Sequence, residues 1–168
     1  CSYQCSIYDP LNFLAPLTVY GKILLSQVQA ALPPTSAENW DTCISPELLK
    51  QCQEYIRQMV TTANPVYQRS PPAGRLSELH IFHDAGRHIY ATAVYGTFID
   101  QCNRSSRLFY TKPRLGKRSV PQMELNSAFQ ASTIALYFSR MFPDVKCIYL
   151  YGDSQCTLAT LASLERIA

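Results

Sequence analysis

The 168 residues suffice for one full domain, or for a short segment plus a small domain, and 47% hydrophobic with 16% charged residues is a globular composition that excludes general disorder. A net charge of +3 is too mild to establish a nucleic-acid partner, and seven cysteines without a CxxC pair point to neither a zinc ribbon nor a disulfide framework, reading instead as reduced thiols of an intracellular protein. No apolar run approaches the roughly 20 residues that span a bilayer and no secretory signal opens the chain, so a soluble, non-secreted protein without a membrane partner is expected.

Asp9-Pro10 reads as a turn and Pro16 as a first helical residue, after which Leu17, Tyr20, Leu24, Val28 and Ala31 recur at helical spacing until Pro33-Pro34. A second helix is expected after a turn at Trp40-Asp41. Ser45 would cap it, Pro46 would lie in its first turn, and Leu49, Cys52, Ile56, Met59 and Val60 would share its apolar face. The polar, proline-rich stretch from Thr61 to Gly74 marks a domain boundary, dividing residues 1–74 from residues 75–168.

Ser77 to Gly86, SELHIFHDAG, is an alternating strand that runs into an acid followed by small residues. Leu79, Ile81 and His83 would face one side, and His80, Phe82 and Asp84 the other. Gly86-Arg87-His88 looks like a hairpin turn into a strand from Ile89 to Ile99, Asp100 to Ser106 like a second turn, and Leu108-Phe109-Tyr110 like the start of a third strand. The result is an antiparallel meander. The cationic stretch KPRLGKRSVP then reads as a loop, and Ser119 and Gln122 stand at capping-box spacing before a helix that ends at Phe142-Pro143. Its small residues, Ser127, Ala128, Ala131, Ser132 and Ala135, would let it lie close on the sheet. Val145 to Tyr151 fits a buried strand, parallel to a member of the meander through the helical crossover, and another helix starts near Ser154. The chain breaks off at Ala168 within that helical pattern, which reads as a piece of a larger polypeptide.

If the fourth strand lies beside the Leu79 to Asp84 strand, Asp84 and Asp153 reach the same end of the sheet, and Glu124 in the crossover helix can join them. Three carboxylates together repel, so the cluster needs a shared proton or a cation, and Mg²⁺ is the natural counter-ion for clustered oxygens in phosphodiester hydrolysis. A blander reading gives each acid a local role, in which Asp153 caps the following helix, Glu124 favours a helix start, and Asp84 is a turn residue. Lys112, Arg114, Lys117 and Arg118, with Arg104 and Arg107 nearby, form either a phosphate-attracting cluster or a solvated loop. His80 and His83 face opposite sides of a strand, which argues against zinc. Ser154 lacks the GxSxG surroundings of a hydrolase nucleophile.

Several segments resemble BEL/Pao-type retrotransposon polyproteins. SIYDPLNFLAPLTVYGKILL is similar to the segment after the reverse-transcriptase palm, and ELHIFHDAG, VPQMELNSA and YLYGDSQ follow in that family's order. The resemblance implies an α/β, ribonuclease H-like mixed sheet, a three-strand meander plus a parallel fourth strand, preceded by a helical tether over residues 1–74. It implies hydrolysis of the RNA strand of RNA-DNA hybrids with two Mg²⁺ ions, Mn²⁺ being able to substitute, and Asp84, Glu124 and Asp153 match the first three acids of the catalytic and metal-binding set. A fourth acid and a fifth strand would lie beyond Ala168. The partners implied are the hybrid and the rest of the polyprotein, including reverse transcriptase and integrase, in a cytoplasmic virus-like particle or the nucleus. The alternative is a catalytically inactive (decayed, truncated or domesticated) ribonuclease H-like nucleic-acid-binding or structural module. Two departures stand out: Asn12 replaces the usual glycine of a DPLG turn, a mild change because asparagine tolerates left-handed backbone, and His83 replaces a small hydroxyl residue. His83 would point away from the Asp84 face and so affect folding more than chemistry.

Overall fold

In the computed structural model, residues 9–32, 42–62, 74–101 and 103–164 are described. The terminating Pro33-Pro34, the turn at Trp40-Asp41 and Pro65, Pro71 and Pro72 of the expected boundary lie outside them. The chain divides into two units, one of Cys1–Pro10 with Leu14–Tyr67 and one of Leu11–Phe13 with Gln68–Ala168.

The first unit holds helices α1, Ala15–Ala31, and α2, Pro46–Thr62. Both start as their sequences dictate: Pro16 sits in the first turn of α1, and the Leu48 N–H donates to Ser45 Oγ at 3.3 Å as the cap of α2. The buried faces differ from the expected ones. On α2 the core is Tyr55 and Met59 with Leu48 and Cys52 against it, while Leu49, Ile56 and Val60 are exposed. Both sets share Cys52 and Met59, and burying the large Tyr55 ring decides between them. On α1, Leu24 is buried alongside the small Thr18 and Gly21. Tyr20 turns outward instead, its ring edge-on to Tyr55 with centroids 5.9 Å apart.

The second unit is built on a four-stranded mixed sheet. Strands β1, Arg75–Ala85, β2, Ile89–Asp100, and β3, Asn103–Leu115, form the expected antiparallel meander, and β4, Cys147–Tyr151, pairs with β1 in parallel, giving the order β3-β2-β1-β4. Helix α3, Val120–Met141, connects β3 to β4, and α4, Gln155–Leu164, follows β4. Alternation along β1 sends Leu79 and Ile81 into the core with Val94, beneath Ala131, Ile134 and Phe138 of α3. The small Ser127, Ala128 and Ala131 lie buried along α3, as close approach to the sheet requires, whereas Ser132 is exposed.

Four expectations are corrected. Asp100 to Ser106 is not a long turn, because Asp100 pairs directly with Asn103 and Gln101 supplies a positive φ of 49°. Consequently Lys112 and Arg114 belong to β3 and not to a loop. The capping box is absent, since no side-chain hydrogen bond caps α3 at Ser119. Strand β4 is exposed, with only Ile148 packed against the core, because β1 is its sole neighbour among the described residues. Its Tyr149 and Tyr151 lie on the uncovered sheet face, stacked on His80 and Phe82.

Asn12 adopts the left-handed backbone that asparagine tolerates. Its φ is 55°, its side-chain amide donates to the Thr111 carbonyl at 3.1 Å, and the Thr111 N–H donates to the Leu11 carbonyl at 3.1 Å. No helix among the described residues is long and apolar enough to cross a membrane.

Candidate metal centre

The parallel register places Phe82 opposite Tyr151, so the chain leaves β1 and β4 at the same sheet end, through Asp84 and through Gly152-Asp153. Helix α3 crosses that end in its second turn, where Glu124 stands. One carboxylate oxygen from each of Asp84, Glu124 and Asp153 lies within 4.8 Å of the others, and this is the sole group of potential metal ligands among the described residues. Asp84 and Asp153 open to solvent beside a cleft of about 470 Å³ edged by Phe82 and Tyr151, with Ala91 and Ala93 also lining it. A larger apolar cavity of about 550 Å³ between β3 and α3 contains none of the acids.

The local roles offered for Asp153 and Glu124 are not the ones they hold, and Asp84 keeps a single local bond. Ser154, not Asp153, caps α4: its Oγ accepts from the Thr157 N–H at 3.3 Å. Glu124 lies past the first turn of α3, which holds no acid. Its Oε2 is shielded from solvent and has no hydrogen-bond partner. Burial, and then the charges of Asp84 and Asp153, push the Glu124 carboxyl above its ordinary range, while the Ala85 N–H draws it partly back. Asp84 has one local bond, accepting from the Ala85 N–H at 2.7 Å.

An orphaned, desolvated carboxylate oxygen facing two further carboxylates fits a divalent cation, which supplies the missing charge and ligand bonds in one step. Asp84, Glu124 and Asp153 would hold it. The chemistry of the donor set, all oxygen, favours a hard ion over zinc.

His83 leaves the strand on the α3 side, away from Asp84, with Nδ1 3.0 Å from Ser127 Oγ. Burial pushes its imidazole below the ordinary value, opposed by the charges of Asp153 and Asp84. His80 is on the other face, where its Nδ1 meets the Tyr151 hydroxyl at 2.9 Å. The histidines therefore form no ligand set. Sequence reasoning treats Ser127 as a small packing residue and misses its hydrogen bonds; a polar side chain one helical turn after Glu124 is the available signal.

The cations are divided by the sheet. Lys112 pairs with Thr92, which pairs with His83, so Lys112 and Arg114 are on the α3 side of β3, opposite in face to Asp84. Lys117 and Arg118 are exposed in the connection to α3, and none of the four is ion-paired among the described residues. Arg104 is committed to Glu78, and it and Arg107 occupy the far half of β3, roughly 23–33 Å along the strand from Arg114. They do not belong to the cluster.

Residues 1–154 match the family described as Pao retrotransposon-like RNaseH-like domain. The chain belongs to this family. The mixed sheet with its three antiparallel strands and one parallel strand is the ribonuclease H-like arrangement of the Pao domain. No curated protein matches the chain.

Proposed function

We propose that this Pao domain hydrolyses the RNA strand of RNA-DNA hybrids, with Asp84, Glu124 and Asp153 as its catalytic set and Mg²⁺ as the physiological cation, two ions being held and Mn²⁺ able to replace them. The observation that carries the reading is the gathering of the three carboxylates with Glu124 Oε2 left unpartnered. When bound, the cations supply Lewis acidity and activation of water for in-line phosphodiester cleavage. The protein's part is to converge the three acids from separate elements, to keep Glu124 shielded, and to leave Asp84 and Asp153 open to a substrate. Lys112, Arg114, Lys117 and Arg118 would attract the phosphate backbone. Residues 1–74 would serve as the tether joining this domain to a reverse transcriptase, with integrase further along the polyprotein.

The test is cleavage of a labelled RNA-DNA hybrid in Mg²⁺ and in chelator, by the chain alone and with the downstream helix that the resemblance implies. Metal-dependent cutting that disappears in Asp84→Asn is expected. Hybrid bound but left intact by both forms would instead establish an inactive nucleic-acid-binding module.

A further inference from the structure

The three acids sit on three elements that share no covalent neighbourhood, and one side chain touches all three elements. His83 precedes Asp84 on β1, and its imidazole enters the space between β1, α3 and the end of β4. On the helix side, His83 Nδ1 lies 3.0 Å from Ser127 Oγ, which lies 2.7 Å from the Glu124 carbonyl oxygen. A carbonyl only accepts, so the Ser127 proton is spent on it, and His83 must carry hydrogen on Nδ1 and donate to Ser127. On the strand side the ring lies against Gly152, the residue before Asp153. A Cβ at that position would collide with His83 Cε1 and Nε2, so the ring occupies the space that the glycine leaves.

Building on the proposed cation site, we propose that His83 is its positioning residue: a bracket that fixes the helix bearing Glu124 and the strand end bearing Asp153 against the strand bearing Asp84. The hydrogen bond to Ser127 sets the first junction and the contact with Gly152 sets the second. Groups behind metal ligands act in this way, and their loss costs affinity for the ion although they never touch it.

The experiment measures Mn²⁺ binding to the chain by electron paramagnetic resonance of the free ion, with thermal unfolding in chelator reporting folding separately. His83→Ala and Ser127→Ala are each expected to weaken Mn²⁺ binding by about 10-fold or more. The double variant should be no weaker than His83→Ala alone, because Ser127 acts only through His83. His83→Asn, which keeps an N–H donor near the Nδ1 position, should recover part of the loss. If His83→Ala does not fold, Ser127→Ala and Gly152→Ala, which displaces the ring, carry the same expectation. Effects that multiply in the double variant, or unchanged Mn²⁺ binding in the folded single variants while Asp84→Asn loses it, would overturn the bracket alone. Unchanged binding in Asp84→Asn would overturn the cation site and the bracket together.

Discussion

Without a cation, the acid cluster should work against the fold, and Glu124→Gln isolates that cost. Two unit charges at the 4.8 Å limit of the cluster repel by about 0.9 kcal/mol even at the dielectric constant of water. Glu124 faces two such charges, so neutralising it should stabilise the metal-free protein at neutral pH by roughly 1–2 kcal/mol, or about 5 °C or more in Tm for a unit of this size. The sign with pH follows from the raised carboxyl of Glu124. The folded chain holds this proton more tightly than the unfolded chain, so the stability it confers is fully present below the unfolded value of about 4.3 and is lost as pH rises through the higher folded value. Thermal unfolding in chelator, followed by circular dichroism from about pH 4 to 8, should therefore show the variant and the wild type converging in acid and separating toward neutrality. Added Mg²⁺ or Mn²⁺ should raise the wild-type Tm and leave the variant nearly unmoved. A variant no more stable than wild type at neutral pH in chelator would refute the idea that three charges confront one another there.

Two further outcomes are expected. Replacing Lys112, Arg114, Lys117 and Arg118 together by alanine should flatten the dependence of log Kd for hybrid on log salt by up to about 3–4 units, and an unchanged slope would make these cations a solubility feature only. Ile81→Ala, at a position with no solvent exposure in the core of the sheet, should destabilise the second unit by about 2–5 kcal/mol in urea denaturation, and a loss below about 1 kcal/mol would place the core elsewhere.

The convergence of the acids is legible in the sequence because it depends on periodicity and order. Leu79 and Ile81 alternate cleanly with polar positions, the crossover helix has sharp ends, and a strand, a helix and a parallel strand bring Asp84 and Asp153 to one edge. Other features depend on competition that the sequence does not rank. On α2, Leu49, Ile56 and Val60 form as good an apolar stripe as Leu48, Tyr55 and Met59, and the aromatic ring decides the outcome only when something packs on it. The start of β3, Asn103 to Arg107, is polar and resembles a loop, yet its pairing with β2 makes it strand. The apolar run of β4 suggests two covered faces because such runs usually have them; here its tyrosines stack on His80 and Phe82 on an open face. Strand alternation alone turns His83 away from Asp84, but its partner in α3 is distant in sequence and cannot be paired with it by spacing.

The parallel seam between β1 and β4 has an implication for how the centre can fail. The meander is stitched by two neighbouring hairpins, whereas the five residues of β4 are held along one edge by a partner some 70 positions earlier in the chain. Peeling that short strand away would leave the hairpins and their interior standing, while carrying Asp153 off from the other two acids. Opening that seam should therefore cost less than melting the domain, and whatever steadies it also governs whether the three carboxylates meet.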